Sequence, residues 1–333
     1  MRIHPGLFSA VGQLSRGAVA IGNFDGVHVG HRALFAAARE AGIRTGGPTC
    51  ALTFEPHPAA VLAPQYAPPS ISSPRRKLEL LAEAGVDFAV VPHFDLAFAR
   101  TSAPDFVEKL AATGVRTVVV GHDFTYGRDR AGNVETLRAA LGAVGIDLKL
   151  VAPVTVEGLV VSSTKVREFV LEGRLDAACA LLGRPLDLDG EVVRGAGRGR
   201  TLGWPTANLR YPDGQLLPAI GVYAVRARQI EAEATSEEQG ELTPARLGAV
   251  LSGAANLGLN PTFREANAGG SGQRPPLLLE VHLIDFAGDL YGKTLRVEFV
   301  KRLREERRFG GVEALKTQIA ADVIEARRIL SAS

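Results

Sequence analysis

The chain has 333 residues, enough for about two domains that each bury a core, and its 46% hydrophobic and 22% charged content excludes a disordered or fibrous protein. Thirty-eight Lys and Arg against 36 Asp and Glu leave a formal charge of +2, too small for a protein that grips nucleic acid by neutralising phosphates. Cys50 and Cys179 lie far apart with no partner at metal-ligand spacing, which argues against a disulfide framework or a zinc site and fits a reducing cytoplasm; no stretch reaches the ~18 apolar residues of a membrane span.

In chain order, short aliphatic runs begin near Val19, Thr49, Phe88, Thr117 and Asp147. That is one βα unit per roughly 30 residues. Helical stretches are expected over 32–41, 75–84, 104–113 and 134–144, most closed by a glycine suited to a left-handed cap: Gly42, Gly85, Gly114 and Gly145. Such alternation predicts a Rossmann-like, doubly wound parallel sheet whose ligands bind at the carboxyl ends of its strands. After Gly183 the texture changes to Gly- and Pro-punctuated runs (188–193, 221–228, 277–286 and 294–299), which predict an antiparallel β-barrel. The boundary is therefore expected at 183/184, giving domains 1–183 and 184–333. Val312, Leu315, Ile319, Val323 and Leu330 fall on one stripe of a C-terminal helix packed on the barrel. Five glutamates between Gln229 and Pro244 read as a solvated loop insertion.

Between the first predicted strand (18–21) and a helix lies Gly22 Asn23 Phe24 Asp25 Gly26 Val27 His28 Val29 Gly30 His31. A glycine-rich strand-to-helix turn is an anion site, because amides at a helix start carry partial positive charge and glycines let a phosphate approach closely. His28 and His31, three apart, can share one side of the turn and donate to phosphoryl oxygens on which charge develops; the plain alternative is a pair of capping histidines. Ser163 and Thr164 precede an apolar-periodic run, with Arg167 one turn further in, and form a second anion site or an ordinary cap. Two segments at predicted strand ends, Phe54 with Pro56 and His57, and Asp123 with Phe124 and Tyr126, can sandwich a flat ring while Asp123 orients a ribose or base. No Gly-Lys-Ser/Thr ending of a P-loop occurs.

In the second half, 194–200 alternates Gly and Arg, with Gly195 and Gly199 available to bring a cationic flap onto phosphates. Thr206 and Asn208 of Pro205 Thr206 Ala207 Asn208 offer oxygens suited to Mg²⁺. Strand 277–285 puts Glu280 and His282 on one face, so Glu280 is placed to accept a hydroxyl proton.

The first motif, Pro205 Thr206 Ala207 Asn208 and the Arg304, Glu306, Phe309 spacing together resemble the bifunctional bacterial FAD synthetases over about residues 19–327. The resemblance implies an N-terminal FMN adenylyltransferase of nucleotidyltransferase fold, with Gly22, Asn23, Phe24, His28, Gly30, His31, Asp123, Ser163, Thr164 and Arg167 around ATP and Phe54, Pro56 and His57 near the flavin. It also implies a C-terminal six-stranded riboflavin kinase barrel, with Gly195, Gly199 and Arg304 at the substrates, Thr206 and Asn208 at Mg²⁺-ATP, and Glu280 as base. The implied partners are riboflavin, FMN and ATP, with no nucleic acid and no membrane. Tyr126 stands where the family pattern has phenylalanine, Lys165 departs inside the Ser-Ser-Thr motif, and the acidic insertion has no counterpart in it. Two alternatives stay open from the residues: a non-catalytic flavin carrier, and a fragment similar to class I tRNA synthetases, whose two ATP motifs the His28–His31 and Ser163–Lys165 runs resemble.

Overall fold

A computed structural model describes residues 1–195, 197–231, 240–243, 245–259 and 277–332. The chain divides into two units, the first being Met1–Ser163 with the described residues of 233–244, the second the described residues of 164–232 and 245–333.

The first unit is built on six parallel strands: β1 (Arg2–His4), β2 (Ala18–Ile21), β3 (Thr49–Leu52), β4 (Phe88–Val90), β5 (Thr117–Gly121) and β6 (Asp147–Val151), in the order β1-β4-β3-β2-β5-β6. Between them run α1 (Val29–Thr45), α2 (Pro58–Leu62), α3 (Pro74–Glu83), α4 (Leu96–Ala99), α5 (Ala103–Ala112) and α6 (Val134–Ala143). Alternation along each strand sets the two faces. Ala18, Ala20, Ala51 and Ala89 leave a shallow face that takes Leu34, Phe35 and Ala38 of α1 with Leu80 and Leu81 of α3. Val19, Ile21, Leu52, Val90, Val118 and Val120 form the bulkier face, filled by Phe106, Val107 and Leu110 of α5 and by Leu137 and Leu141 of α6. The strand order reverses between β2 and β5, which opens a crevice beyond their carboxyl ends.

β1 is an edge strand absent from the sequence reading, and for residues 240–243 it corrects the reading of 229–244 as a solvated loop. Residues 232–239 and 244 lie outside the described residues, but Ile3 N–H donates to Gly240 O (2.5 Å), Leu242 N–H donates to Met1 O (2.8 Å), and Leu242 is buried. The bare edge supplies hydrogen-bond groups and the leucine supplies apolar area, so this part of the insertion is held in place.

A two-stranded ribbon, β7 (Thr155–Val156) with β8 (Leu159–Val160), precedes α7 (Ser163–Leu171) and α8 (Leu175–Leu182). Contacts group 164–182 with the second unit, where α8 packs on the barrel, whereas the change of sequence texture comes only at Gly183. The barrel strands are β9 (Leu186–Val193), β10 (Ala207–Arg210), β11 (Gly221–Glu231), β13 (Leu251–Leu259), β14 (Leu277–Leu283) and β15 (Thr294–Arg304), closed by β11–β15 pairing, with short β12 (Arg246–Leu247) on β11. Leu188, Leu209, Tyr223, Val225, Leu257, Leu279, Val281, Val297 and Phe299 fill the barrel interior at close to zero exposure. After the one-turn α9 (Arg198–Thr201), the chain ends in α10 (Val312–Ser331), which sets Val323, Ala326 and Leu330 on Ala224, Ala254 and Ile284. Val312, placed on that stripe by its spacing, is exposed at the first position of the helix. Among the described residues no helix is long and apolar enough to cross a membrane.

Candidate functional site

In the first unit the chain leaves β2 through Gly22–Val27 into α1. His28 is the N-cap, its Nδ1 accepting the His31 amide proton at 3.2 Å, so the capping role weighed for it is real for that nitrogen. The two rings stack 3.5 Å apart at 17°, and Phe24 meets the His31 ring edge-on at 5.2 Å. His28 is buried and His31 half-buried, with His31 Nδ1 itself buried and unpartnered. Burial, then the neighbouring His28, holds the His31 pKa well below its ordinary value, so this imidazole is neutral near pH 7 and acts as an N–H donor rather than a cation.

The loop is clamped from two sides. The buried Asp25 carboxylate accepts the amides of Ile71 (3.0 Å) and Ser72 (3.1 Å), and the Ser163 hydroxyl donates to Asp25 O (3.0 Å). Ser163 begins α7, and Thr164 and Arg167 follow on the same helix. Gly30 lies over His28, where an added Cβ would come within 3.2 Å of the ring.

Beside this loop lies a cleft of about 540 Å³ at the strand ends. Gly22 and Asn23 line it after β2, Phe54 after β3, Phe94 and Phe98 after β4, and Asp123–Arg130 after β5. Phe54, Phe94 and Phe98 pack at 5.6–5.7 Å centroid distances, and Phe124 stacks on Tyr126 at 6.0 Å and 9°. The first three rings are tilted 53–75° to one another and the last two are parallel, so the cleft has aromatic walls with room for a flat ring system. Pro56 and His57 do not line the cleft; the His57 Nδ1 accepts from Ala59 N–H and caps α2. Sequence reasoning missed Phe94, Phe98, Arg100 and Arg130, which sit on the cleft wall without any motif to mark them.

In the second unit a single rung crosses the barrel wall. Asn208 pairs with Val193 on one side and Glu280 on the other, Glu280 with Asn256, Asn256 with Val222, and Val222 with Arg304. Residues in one rung share a face, so Glu280 stands between two asparagine amides on the outer face of the barrel. Glu280, Asn256, Thr206, Gly199 and Arg304 line a cleft of about 330 Å³ closed on its far side by Leu315, Ile319 and Asp322 of α10. Asp322 takes a forked grip from Arg304 (2.7 and 3.0 Å), and Phe309 lies 5.7 Å from the guanidinium. A second cleft, about 360 Å³, is lined by Val192, Arg200, Pro205, Phe286 and Tyr291, and Thr206 lines both. Gly195 packs so closely on the Asn208 amide that no Cβ fits there. His282 is turned to Pro205 O (2.9 Å) and to the Trp204 ring. Asn256 was not foreseen, because its strand is made of small residues with little strand character of their own.

Two family sequence profiles match the chain: one described as FAD synthetase over residues 12–165, the other as riboflavin kinase over residues 182–330. Proteins named bifunctional riboflavin kinase/FMN adenylyltransferase share its length. That of Pseudomonas fluorescens is 39% identical over 96% of this chain and 94% of its own, and that of Escherichia coli K12 is 38% identical over 93% and 91%. The Bacillus subtilis relative is 33% identical over 95% and 93%. A crystal structure from Streptococcus pneumoniae, described as a macrolide-efflux protein, superposes with a TM-score of 0.81 at 30% identity and covers 98% of both chains. With both profiles in order and end-to-end relatives well above 30% identity, this chain belongs to the family of bifunctional riboflavin kinase/FMN adenylyltransferases.

Proposed function

We propose that the chain makes FAD in two steps, phosphorylating riboflavin in the barrel unit and joining AMP to the resulting FMN in the sheet unit. Family membership supports the pair of activities, and the observation that carries the assignment to sites is the Asn208–Glu280–Asn256 rung, of which Glu280 and Asn256 line the barrel cleft.

In the first step the riboflavin 5′-hydroxyl oxygen bonds to the γ-phosphorus of ATP, the bond from that phosphorus to the bridging oxygen breaks, and ADP leaves. Glu280 accepts the hydroxyl proton. Thr206 lines both barrel clefts, which supports a role for it at the junction of nucleotide and flavin. The Thr206 hydroxyl and the Asn208 carbonyl, crowded by Gly195, are all-oxygen donors that fit Mg²⁺, a cation that takes few protein ligands; among the described residues no cluster of three His, Cys, Asp or Glu competes as a metal site. Bound there, Mg²⁺ would offset the charge of the phosphates.

In the second step a phosphate oxygen of FMN bonds to the α-phosphorus of ATP and pyrophosphate leaves. Gly22–Gly30 offers helix-start amides to the phosphates, with His28 and His31 beside the reacting group, while Phe54 and Phe124 flank the isoalloxazine and Asp123 orients the ribose or base of ATP. Ser163, whose hydroxyl reaches Asp25 O, adds a donor from the start of α7. The free, reduced Cys50 and Cys179 fit a cytoplasmic protein. Chromatography of the products from riboflavin, ATP and Mg²⁺ tests the reading: FMN followed by FAD is expected, whereas unchanged riboflavin with no ATP consumed would mean a carrier.

A further inference from the structure

α3 carries an unusual load for a surface helix. Arg76, Lys77 and Glu79 are all buried, and all three take part in ion pairs. Arg76 pairs within the helix, to Glu79 and Glu83. Lys77 instead reaches across to the end of β3: its Nζ donates to Phe54 O at 3.0 Å and to Glu55 Oε2 at 2.9 Å, with the side chain only 8% exposed. The flexible stem of a lysine is costly to order and its ammonium costly to desolvate, so a buried lysine aimed at a main-chain carbonyl is not a default packing choice.

What that carbonyl belongs to gives the arrangement its meaning. Phe54 is the β3 contribution to the aromatic wall, in contact with Phe94 and Phe98. On its other side the same stretch is tied by Thr53 Oγ1 donating to Asn23 O (2.9 Å), by Glu55 N–H donating to Pro92 O (3.4 Å) and by Phe94 N–H donating to Glu55 O (2.9 Å). The Lys77 bond therefore fixes the peptide that joins Phe54, whose ring is part of the wall, to Glu55, which is tied to Pro92 and Phe94. The segment that leads into Lys77 is held at its start by Asp25, whose carboxylate takes the Ile71 and Ser72 amides, and by Gly26 N–H donating to Ser72 Oγ (3.2 Å). Residues 71–77 thus form a strut from the histidine loop to the aromatic wall.

Resting on the functional reading above, we propose that Lys77 is a positioning residue for FMN: its ammonium, without touching the flavin, holds Phe54 in the orientation that the isoalloxazine needs. Glu55 is part-exposed, so loss of the ammonium leaves it solvated and the fold intact. The effect falls on the flavin side because the bond ends at Phe54, and the histidine loop keeps its own clamps at Asp25 and Ser163.

The test is steady-state kinetics of FAD formation by the full chain carrying Lys77→Met, with Lys77→Gln as the second variant should the first not fold. Expected is a rise of about tenfold in KM for FMN, the scale of one lost charge-assisted hydrogen bond. KM for ATP and the rate of riboflavin phosphorylation should stay within twofold, and Lys77→Arg should recover most of the loss. In a Phe54→Leu background the same lysine change should have little further effect, because the residue it acts through is gone. An unchanged KM for FMN in a folded Lys77→Met, or equal rises in both KM values, would overturn this inference while leaving the activity assigned. Absence of FAD from the unaltered chain would overturn the functional reading and this inference with it.

Discussion

The His28 ring lies flat against the His31 ring at 3.5 Å while its Nδ1 takes the His31 amide proton, so one imidazole both caps α1 and presses a neutral partner toward the loop. The folded state resists protonating His31, whose pKa lies well below 6.5, whereas the unfolded chain does not. Stability from this residue is thus complete above the unfolded value and declines as pH falls below about 6.5, where only the unfolded imidazole binds a proton. Thermal unfolding followed between pH 7.5 and 5.5 should show this decline, and His31→Gln should flatten it.

Replacing both histidines by alanine should lower FAD formation from FMN by roughly 10²-fold or more, by analogy with removing donors to a developing charge. Riboflavin phosphorylation should persist. Normal adenylylation by that double variant would end the assignment of the pair.

Glu280→Gln keeps the shape of the rung between Asn208 and Asn256 but removes the proposed proton acceptor. Formation of FMN should fall by about 10²- to 10⁴-fold with KM for riboflavin little changed, while FAD formation from added FMN continues. Wild-type phosphorylation would show that the carboxylate is not the base.

Gly195→Ala places a methyl group against the Asn208 amide, with no open space to receive it. The expected result is a raised KM for Mg²⁺-ATP in the kinase step and an unaltered adenylyl step, read by assaying the two half-reactions separately.

Asp322 is buried and receives both the Arg304 fork and the Gln318 amide (2.7 Å). Asp322→Ala leaves a largely buried guanidinium without its carboxylate and should cost on the order of 3 kcal/mol in the barrel unit. A Tm change of less than a degree would refute the view that this pair anchors α10.

Much of the molecule was legible because its elements carry local instructions. The Gly22–His31 run is contiguous, so loop, cap and helix start are read together, and the alternation of 277–283 places Glu280 without knowledge of its neighbours. What escaped depends on pairing between distant segments. Ser252, Gly253, Ala254 and Ala255 have little strand propensity and become β13 only by lying between β11 and β14, which is also what brings Asn256 to Glu280. Phe94 and Phe98 look like ordinary apolar residues until the sheet order sets them beside Phe54. Lys77 falls on a helix whose pattern would send a lysine to water, and the Phe54 carbonyl and Glu55 carboxylate beyond β3 explain its burial.

The seam formed by Met1–Ile3 with Gly240–Leu242 ties the acidic part of the sequence to a shape requirement. β6, the opposite border, is guarded by the charged pair Lys149 and Glu40 and is only partly covered. Unzipping the seam would therefore leave a row of unmet amides and carbonyls facing outward at β1, a template that a second molecule can copy. Trimming this acidic segment should first be felt as clumping in concentrated samples, well before either chemical step slows.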